Sequence, residues 1–199
     1  MKKIIFAMMV MATILSGCGK LPEADVNKRC YDTFSAMESY MAEIKVTAYS
    51  NTNKTEYKAL QFYKAPGKMR TETPELITVV KDLSMYVKNS ASGQLIRAQQ
   101  LPAADVDFMY LQNVVAAYYQ GEQTTAAMQK DKKEEILTLT VETGLSNPYK
   151  TEAELKIRTA DMMPVSLEIK GKDGKIHTQI EYLSFEINKD IAEEIFDVK

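Results

Sequence analysis

The chain has 199 residues, with 25 Lys and Arg against 27 Asp and Glu, and its formal net charge is −2. This slightly acidic balance excludes nucleic-acid binding and electrostatic adhesion to anionic lipid as the basis of its function. The length suits one domain with enough chain to bury a substantial core. The composition shifts nowhere enough to indicate a second folded unit.

The first eighteen residues have the layout of a secretory signal. Lys2 and Lys3 precede an uncharged, mostly apolar run at 4–15, and the small residues Ser16 and Gly17 stand directly before Cys18. A run of this length suits the core of a signal peptide, whereas a spanning helix needs about 20 apolar residues. The pattern resembles the lipobox of bacterial lipoproteins, and this resemblance implies a diacylglyceryl thioether on Cys18.

The lipobox divides the chain into three segments: a signal peptide at 1–17, a lipidated tether at 18–22 and a folded domain at 23–199. We expect the mature protein to be anchored at the extracytoplasmic face of the cell or spore membrane, because two acyl chains hold a protein durably where one does not. Cleavage also removes two lysines, which leaves 23 basic and 27 acidic residues. The lipid on Cys18, and not charge, is therefore the predicted membrane contact.

Cys30 is the second cysteine, and it has no partner for a disulfide once Cys18 carries lipid. It belongs to a stripe of apolar residues spaced three and four apart, which places them on one face of a helix. The stripe consists of Val26, Cys30, Phe34, Met37 and Met41. We interpret Cys30 as a small buried hydrophobe, and a reactive thiol is the alternative.

The hydrophobic pattern changes from helical to strand periodicity near residue 40. Residues 23–40 predict an amphipathic helix, and from residue 43 apolar and polar side chains alternate, as is typical of a half-buried strand. Turn residues separate the following short strands, so an antiparallel meander is predicted. Its strands are expected at 43–49, 57–63, 69–73, 77–80, 85–88 and 94–98.

Pro102 ends this series, and Asp105 can cap a helix over 106–120 that stops at Gly121. A weaker helical pattern covers 122–129, and a charged link follows at 130–135. Strand patterns return at 137–141, 155–157, 165–169 and 175–187, with a glycine turn at 171–174. The chain closes with a helical turn near Ile191, Ile195 and Phe196.

These elements predict an α+β fold. We expect a curved antiparallel sheet of roughly eight to ten strands, a half-barrel wrapped around an N-terminal helix and one or two inserted helices.

Four stretches resemble the LolA/LolB/RseB superfamily of lipoprotein carriers and periplasmic sensors. They are 62–72 (FYKAPGKMRTE), 79–86 (VVKDLSMY), 161–167 (DMMPVSL) and 174–185, and Phe196 is similar to the C-terminal aromatic residue of that superfamily. The resemblance covers about residues 23–198 and implies a LolA-like half-barrel.

Within this superfamily, the lipobox, the abundant lysine and the strand pattern look most like germination lipoproteins of the GerS type. That resemblance implies a non-enzymatic protein that binds and activates the cortex amidase CwlD while spore peptidoglycan is modified. The alternative is a LolA-like carrier or sensor of lipid or lipoprotein acyl chains. The sequence leaves the interface residues unknown and homodimer formation open.

No residue pattern in the chain indicates catalysis, a metal or a cofactor. His177 is the only histidine, and alternation places it on the polar, solvent-facing side of a strand, where it would find too few further ligands for zinc. The adjacent glutamates at 134–135 and 193–194 are expected to be solvated. Several tyrosines either complete the core, which we favour, or form an interaction surface. They are Tyr57, Tyr63, Tyr110, Tyr118 and Tyr119.

Replacing Cys18 with Ala should block both lipidation and signal processing, because no other thiol lies at the junction. Intact mass and detergent partitioning check this outcome. A wild-type mature species without the added diacylglyceryl mass would show that the lipobox prediction is wrong.

Overall fold

The computed structural model describes residues 23–50, 52–100, 108–121, 123–131 and 134–198. They form two α-helices, eleven strands and one 3-10 helix. The helices are α1 (Glu23–Ser35) and α2 (Leu111–Gln120), and the 3-10 helix is Glu193–Phe196. The first six strands are β1 (Ser39–Tyr49), β2 (Lys54–Lys64), β3 (Lys68–Glu72), β4 (Leu76–Lys81), β5 (Ser84–Asn89) and β6 (Leu95–Gln100). The remaining strands are β7 (Thr124–Asp131), β8 (Glu134–Glu142), β9 (Glu152–Arg158), β10 (Met163–Lys170) and β11 (Ile176–Ile187).

All eleven strands form one antiparallel sheet, in the order β6-β5-β4-β3-β2-β1-β11-β10-β9-β8-β7. The sheet consists of two meanders, β1 to β6 and β7 to β11. Within each meander, strands that are consecutive in the chain are adjacent in the sheet. The pairing of β1 with β11 joins the two meanders, with Val46 opposite Ile180. The sheet is open, and β6 and β7 are its two edges. The predicted fold class is confirmed, with one inserted helix in the described part of the chain.

The core lies on the face of the sheet that carries both helices, which we call the inner face. Helix α2 packs on β8 and β9, and α1 packs on α2. Alternate residues of the central strands point inward, so their side chains are excluded from water together with the apolar stripe of α1. Its fully buried members include Cys30, Tyr40, Ile44, Leu111, Leu137, Leu139, Leu155, Ile157, Leu167 and Ile180. Neither of these helices is long and apolar enough to cross a bilayer.

The opposite, outer face carries a row of ion pairs across β9 and β10. Lys170 Nζ lies 2.6 Å from Glu154 and 3.1 Å from Glu152, and Lys156 contacts Glu154 at 3.1 Å and Glu168 at 3.3 Å. Burial raises the pKa of Glu154, but hydrogen bonds from Lys170 and Lys156 outweigh it, and the net pKa is lowered. Each cation bridges carboxylates of its own or a neighbouring strand, which keeps this face polar and solvated.

The C-terminal segment packs on the outer face of β2, β3 and β4. Phe196 and Ile191 are buried against Phe62 and Val79, which point outward from β2 and β4. Arg70 Nη1 donates a hydrogen bond of 2.6 Å to the carbonyl of Ile195. A second small core therefore lies behind the first, on the side of the sheet away from the helices.

One predicted element is wrong. The segment 122–129, expected as a weak helix, contains most of strand β7, and Glu134 and Glu135, expected in a charged link, begin β8. Ala126 faces Leu139 and Met128 faces Leu137, so alternate residues meet the core. Tertiary pairing with an apolar strand has overridden a weak local preference.

Two other boundaries differ from the sequence expectation. Helix α1 ends at Ser35 and not at residue 40, because β1 already begins at Ser39. Helix α2 begins at Leu111, and the predicted cap Asp105 lies outside the described residues.

Replacing Phe196 with Ala should lower the free energy of unfolding by about 3–5 kcal/mol, because it removes the largest side chain of the C-terminal segment from the outer core. The exposed neighbour Glu194 is the matched control, and Glu194→Ala should stay within about 0.5 kcal/mol of wild type. Urea unfolding measures both. Equal effects of the two variants would contradict a packed C-terminal segment.

Candidate interaction surface

Cys18 lies outside the described residues, so lipidation remains a prediction. Cys30 is fully buried and forms no disulfide. Burial raises the pKa of its thiol to about 11, against a hydrogen bond with Tyr119 that lowers it. Both the burial and the raised pKa suppress the reactive thiolate, which confirms the interpretation of Cys30 as a buried hydrophobe.

The tyrosines singled out by the sequence belong to the core and not to an exposed patch. Tyr110 is buried, and its hydroxyl shares a hydrogen bond of 2.7 Å with Thr71 Oγ1. Tyr118 and Tyr119 of α2 hold the two helices together through Asn27 of α1. The Tyr118 hydroxyl accepts a hydrogen bond from the Asn27 side-chain amide, and the Tyr119 hydroxyl donates to the backbone carbonyl and Oδ1 of Asn27. Tyr57 and Tyr63 also pack against the main core. The exposed tyrosines are others: Tyr31, Tyr49 and Tyr149.

Three of the four paired glutamates are exposed, as expected, and one glutamate of each pair forms an ion pair. Glu193 binds Lys64 and Lys68, whose ammonium groups lower the pKa of its carboxyl. Glu134 lies 3.6 Å from Arg158. Nothing in the described parts of the chain assembles three or more metal-ligating His, Cys, Asp or Glu side chains.

His177 lies on the outer face with Gln179 and Glu181, as alternation predicts. It is less open to solvent than expected, because only 17% of its side chain is exposed. The ring of Tyr149 packs edge-on against its imidazole, with centroids 4.9 Å apart.

The edge strand β7 is the surface best suited to receive another protein strand. All eight of its residues pair with β8 without a register shift, and no described strand pairs with its other side. Residues 124–129 contain neither charge nor proline, and charge appears only at Lys130 and Asp131. Natural edge strands are usually protected by bulges, prolines or charged side chains. β7 therefore presents a regular and nearly uncharged row of backbone donors and acceptors.

The other edge, β6, has the protections that β7 lacks. A register shift between Val87 and Lys88 leaves an extra residue in β6, and Arg97 adds a charge in the middle of the strand. Leu95 and Ile96 are exposed beside this irregularity. The two edges thus differ in their capacity for strand addition, and β7 is the more open.

Gly121 positions the start of β7. A Cβ atom at this residue would lie 2.7 Å from the carbonyl oxygen of Ala117, so only glycine permits the chain to leave α2 this closely. The Gly121 N–H donates to the same carbonyl at 2.8 Å.

Sequence reasoning missed β7 because its residues come in similar pairs. Thr124-Thr125 and Ala126-Ala127 hide the period of two that marks a strand. The consecutive threonines, which favour strands, were the available signal.

An unprotected edge binds partners by strand addition. Backbone hydrogen bonds supply the contact, and alternate side chains supply selectivity. On β7 the outer-facing residues Thr125, Ala127 and Gln129 are exposed, whereas Ala126 and Met128 are half-buried against the core. The edge offers small side chains on both faces, so an incoming strand meets little steric hindrance.

The chain matches a known family over nearly its whole length. The family model described as sporulation protein YdcC-like matches residues 1–196. A curated relative, sporulation protein YdcC of Bacillus subtilis strain 168, is 24% identical over 192 residues. That match covers 94% of this chain and 56% of the relative, so the chain spans little more than half of the relative's length.

The chain is similar to several solved structures at low sequence identity. An uncharacterized conserved protein from Thermus thermophilus is 11% identical with a TM-score of 0.54, over 87% of this chain and 91% of that one. A LolA superfamily protein from Nitrosomonas europaea is 10% identical with a TM-score of 0.45, over 89% and 98%. A chain of the structure described as the CwlD amidase from Clostridioides difficile in complex with the GerS lipoprotein is 18% identical, with a TM-score of 0.38. The match covers 84% of this chain and 97% of that one. A LolA superfamily protein and a complex that contains GerS are thus among the structures to which the chain is similar.

Proposed function

The chain belongs to the YdcC-like family of sporulation proteins, and from this membership we propose that it is a membrane-anchored, non-enzymatic lipoprotein of the envelope that binds and activates a cortex amidase of the CwlD type. The family supports a role in sporulation. The choice of an amidase follows the sequence resemblance to GerS-type germination lipoproteins.

The anchor in this proposal is a diacylglyceryl group on Cys18, followed by the tether 18–22 and the domain 23–199. Its support is the lipobox pattern of the sequence. An anchor confines the domain and its partner to one membrane face, which raises their effective concentration without any new contact. A modest interface would then suffice for binding.

The binding function rests on one observation, the edge of β7 with which no described strand pairs. An extended segment of the amidase would add to β7 as a twelfth strand, with its backbone bonded to residues 124–131. The neighbouring surface contributes the remaining contact area, because a stable interface buries at least about 1,000 Å². The amidase would be activated because one of its segments is held in the sheet.

A binding role also fits the side chains present. One glutamate of each acidic pair is paired with Lys or Arg, Cys30 is buried, and the imidazole of His177 is largely covered. Chemistry in the complex would belong to the amidase.

Replacing Ala127 with Lys should weaken amidase binding about tenfold or more, because a long charged side chain on an edge strand opposes strand addition. Ala127 is exposed, so its replacement should leave the melting temperature near that of wild type. The matched control is Ala98→Lys, an exposed alanine on the other edge, which should bind within about twofold of wild type.

The measurement is surface plasmon resonance with the full lipidated chain in nanodiscs and the amidase in solution, followed by amidase activity. Wild-type binding that Ala127→Lys leaves unchanged would exclude β7 as the docking edge. Failure of the wild-type chain to bind or activate the amidase, with lipid co-purifying instead, would favour the carrier alternative.

A further inference from the structure

A pocket of about 350 Å³ lies at one end of the sheet, and the proposed amidase contact does not use it. Three connections surround it: the turn after β1, the β8–β9 loop and the β10–β11 turn. Its lining residues are Tyr49, Ser50, Tyr149, Lys150, His177 and Thr178. Its volume is near the lower end for small-molecule sites, which suits a ligand of one or two rings.

Backbone contacts hold the β8–β9 loop against the β10–β11 turn. The carbonyl of Pro148 accepts a hydrogen bond of 2.8 Å from the Lys172 N–H, and Asn147 Oδ1 accepts one of 3.0 Å from the Tyr149 N–H. These bonds fix the position of Tyr149 at the wall of the pocket.

His177 is held in place by the backbone of the β10–β11 turn. A Cβ atom on Gly171 would lie 2.7 Å from His177 Nε2 and 2.9 Å from the Pro148 carbonyl oxygen, so only glycine allows this approach. The imidazole also lies 3.4 Å from Asp173 Oδ1 and packs against the Tyr149 ring. The pocket is thus largely formed before any ligand arrives, which reduces the ordering cost of binding.

The pocket combines aromatic faces with an unpaired cation. Tyr49 is 37% exposed and Tyr149 is 58% exposed, so both leave ring surface open to a ligand. Lys150 forms no ion pair with any described carboxylate, whereas Lys156 and Lys170 of the outer face are paired. Ser50 and Thr178 complete the lining, and the Ser50 hydroxyl is hydrogen-bonded to the backbone of Asn53. A ligand that fits this set has an apolar face, several hydroxyl or amide groups and one negative charge.

We propose that this pocket binds an acidic sugar. The C–H face of the sugar ring packs on Tyr149, and the carboxylate of the sugar binds Lys150. A sugar ring has a flat C–H face that packs on an aromatic ring, and its hydroxyls suit the polar wall. A single carboxylate pairs with the free ammonium of Lys150. A polyanion is disfavoured, because the chain as a whole is acidic.

The probe is N-acetylmuramic acid, a monosaccharide with one carboxylate, and N-acetylglucosamine is the neutral control. Saturation-transfer difference NMR with the full lipidated chain in nanodiscs, against empty nanodiscs, should show saturable binding of the acidic sugar with a Kd on the order of 1 mM. The neutral sugar should bind about tenfold more weakly, because it lacks the charge-assisted hydrogen bond.

Variants assign the binding to the pocket. Lys150→Gln should weaken binding of the acidic sugar about tenfold, whereas the matched control Lys172→Gln, an exposed lysine in the adjacent turn, should stay within about twofold. Tyr149→Ala should abolish binding and Tyr149→Phe should retain it, because the ring face and not the hydroxyl makes the contact. An unchanged melting temperature of Tyr149→Ala, measured beside the Phe variant, shows that its loss of binding does not come from misfolding.

Several results would overturn this assignment. They are the absence of a saturable signal at about 10 mM sugar, equal binding of the neutral sugar, and Lys150→Gln binding as well as wild type. The assay contains no amidase, so a negative result leaves the partner proposal standing, and failure of the amidase assay does not affect this one.

Discussion

The pairing of β1 with β11 is the constraint on which the rest of the structure depends. These strands begin 137 residues apart, at Ser39 and Ile176, and they join a six-stranded meander to a five-stranded one. Each meander alone contains only strand pairings between neighbours in the chain. Their union places Tyr40, Ile44 and Val46 in the centre of the sheet, where they are buried in the main core. The long loop that this pairing closes costs entropy, which burial of the inner face offsets.

An open sheet whose inner face is packed with helices over β8 and β9 fits the proposed binding at an edge. Side chains from α1 and α2 occupy the inner face over β8 and β9, and the C-terminal segment covers part of the outer face. A carrier of acyl chains requires apolar space on the inner face, whereas a strand-adding partner requires only an edge. β6 has an irregular register and an arginine whereas β7 has neither, so the proposed partner would add to β7.

The sequence predicted those elements in which apolar residues recur with the period of a helix or a strand and are buried in the structure. The alternation at Ile44 and Val46 predicted a half-buried strand, which is correct. The stripe around Cys30 is correct for Val26, Cys30 and Phe34, whereas Met37 follows the helix and Met41 lies in β1. β7 was missed because its paired residues carry little period-two signal. The pocket could not be predicted, because Tyr49, Lys150 and His177 come from three parts of the chain that only the sheet topology brings together. The packing of Phe196 on the outer face likewise depends on a tertiary contact without a local signal.

Hydrogen–deuterium exchange of the chain with and without the amidase tests the central claim most directly, because it reports the backbone amides of β7 themselves. In the free chain, about every second amide of residues 124–131 points away from β8 and should exchange fast. Addition of the amidase should slow the exchange of these amides and leave those of β6 unchanged. Strong binding of the amidase with unchanged exchange throughout β7 would contradict strand addition at this edge.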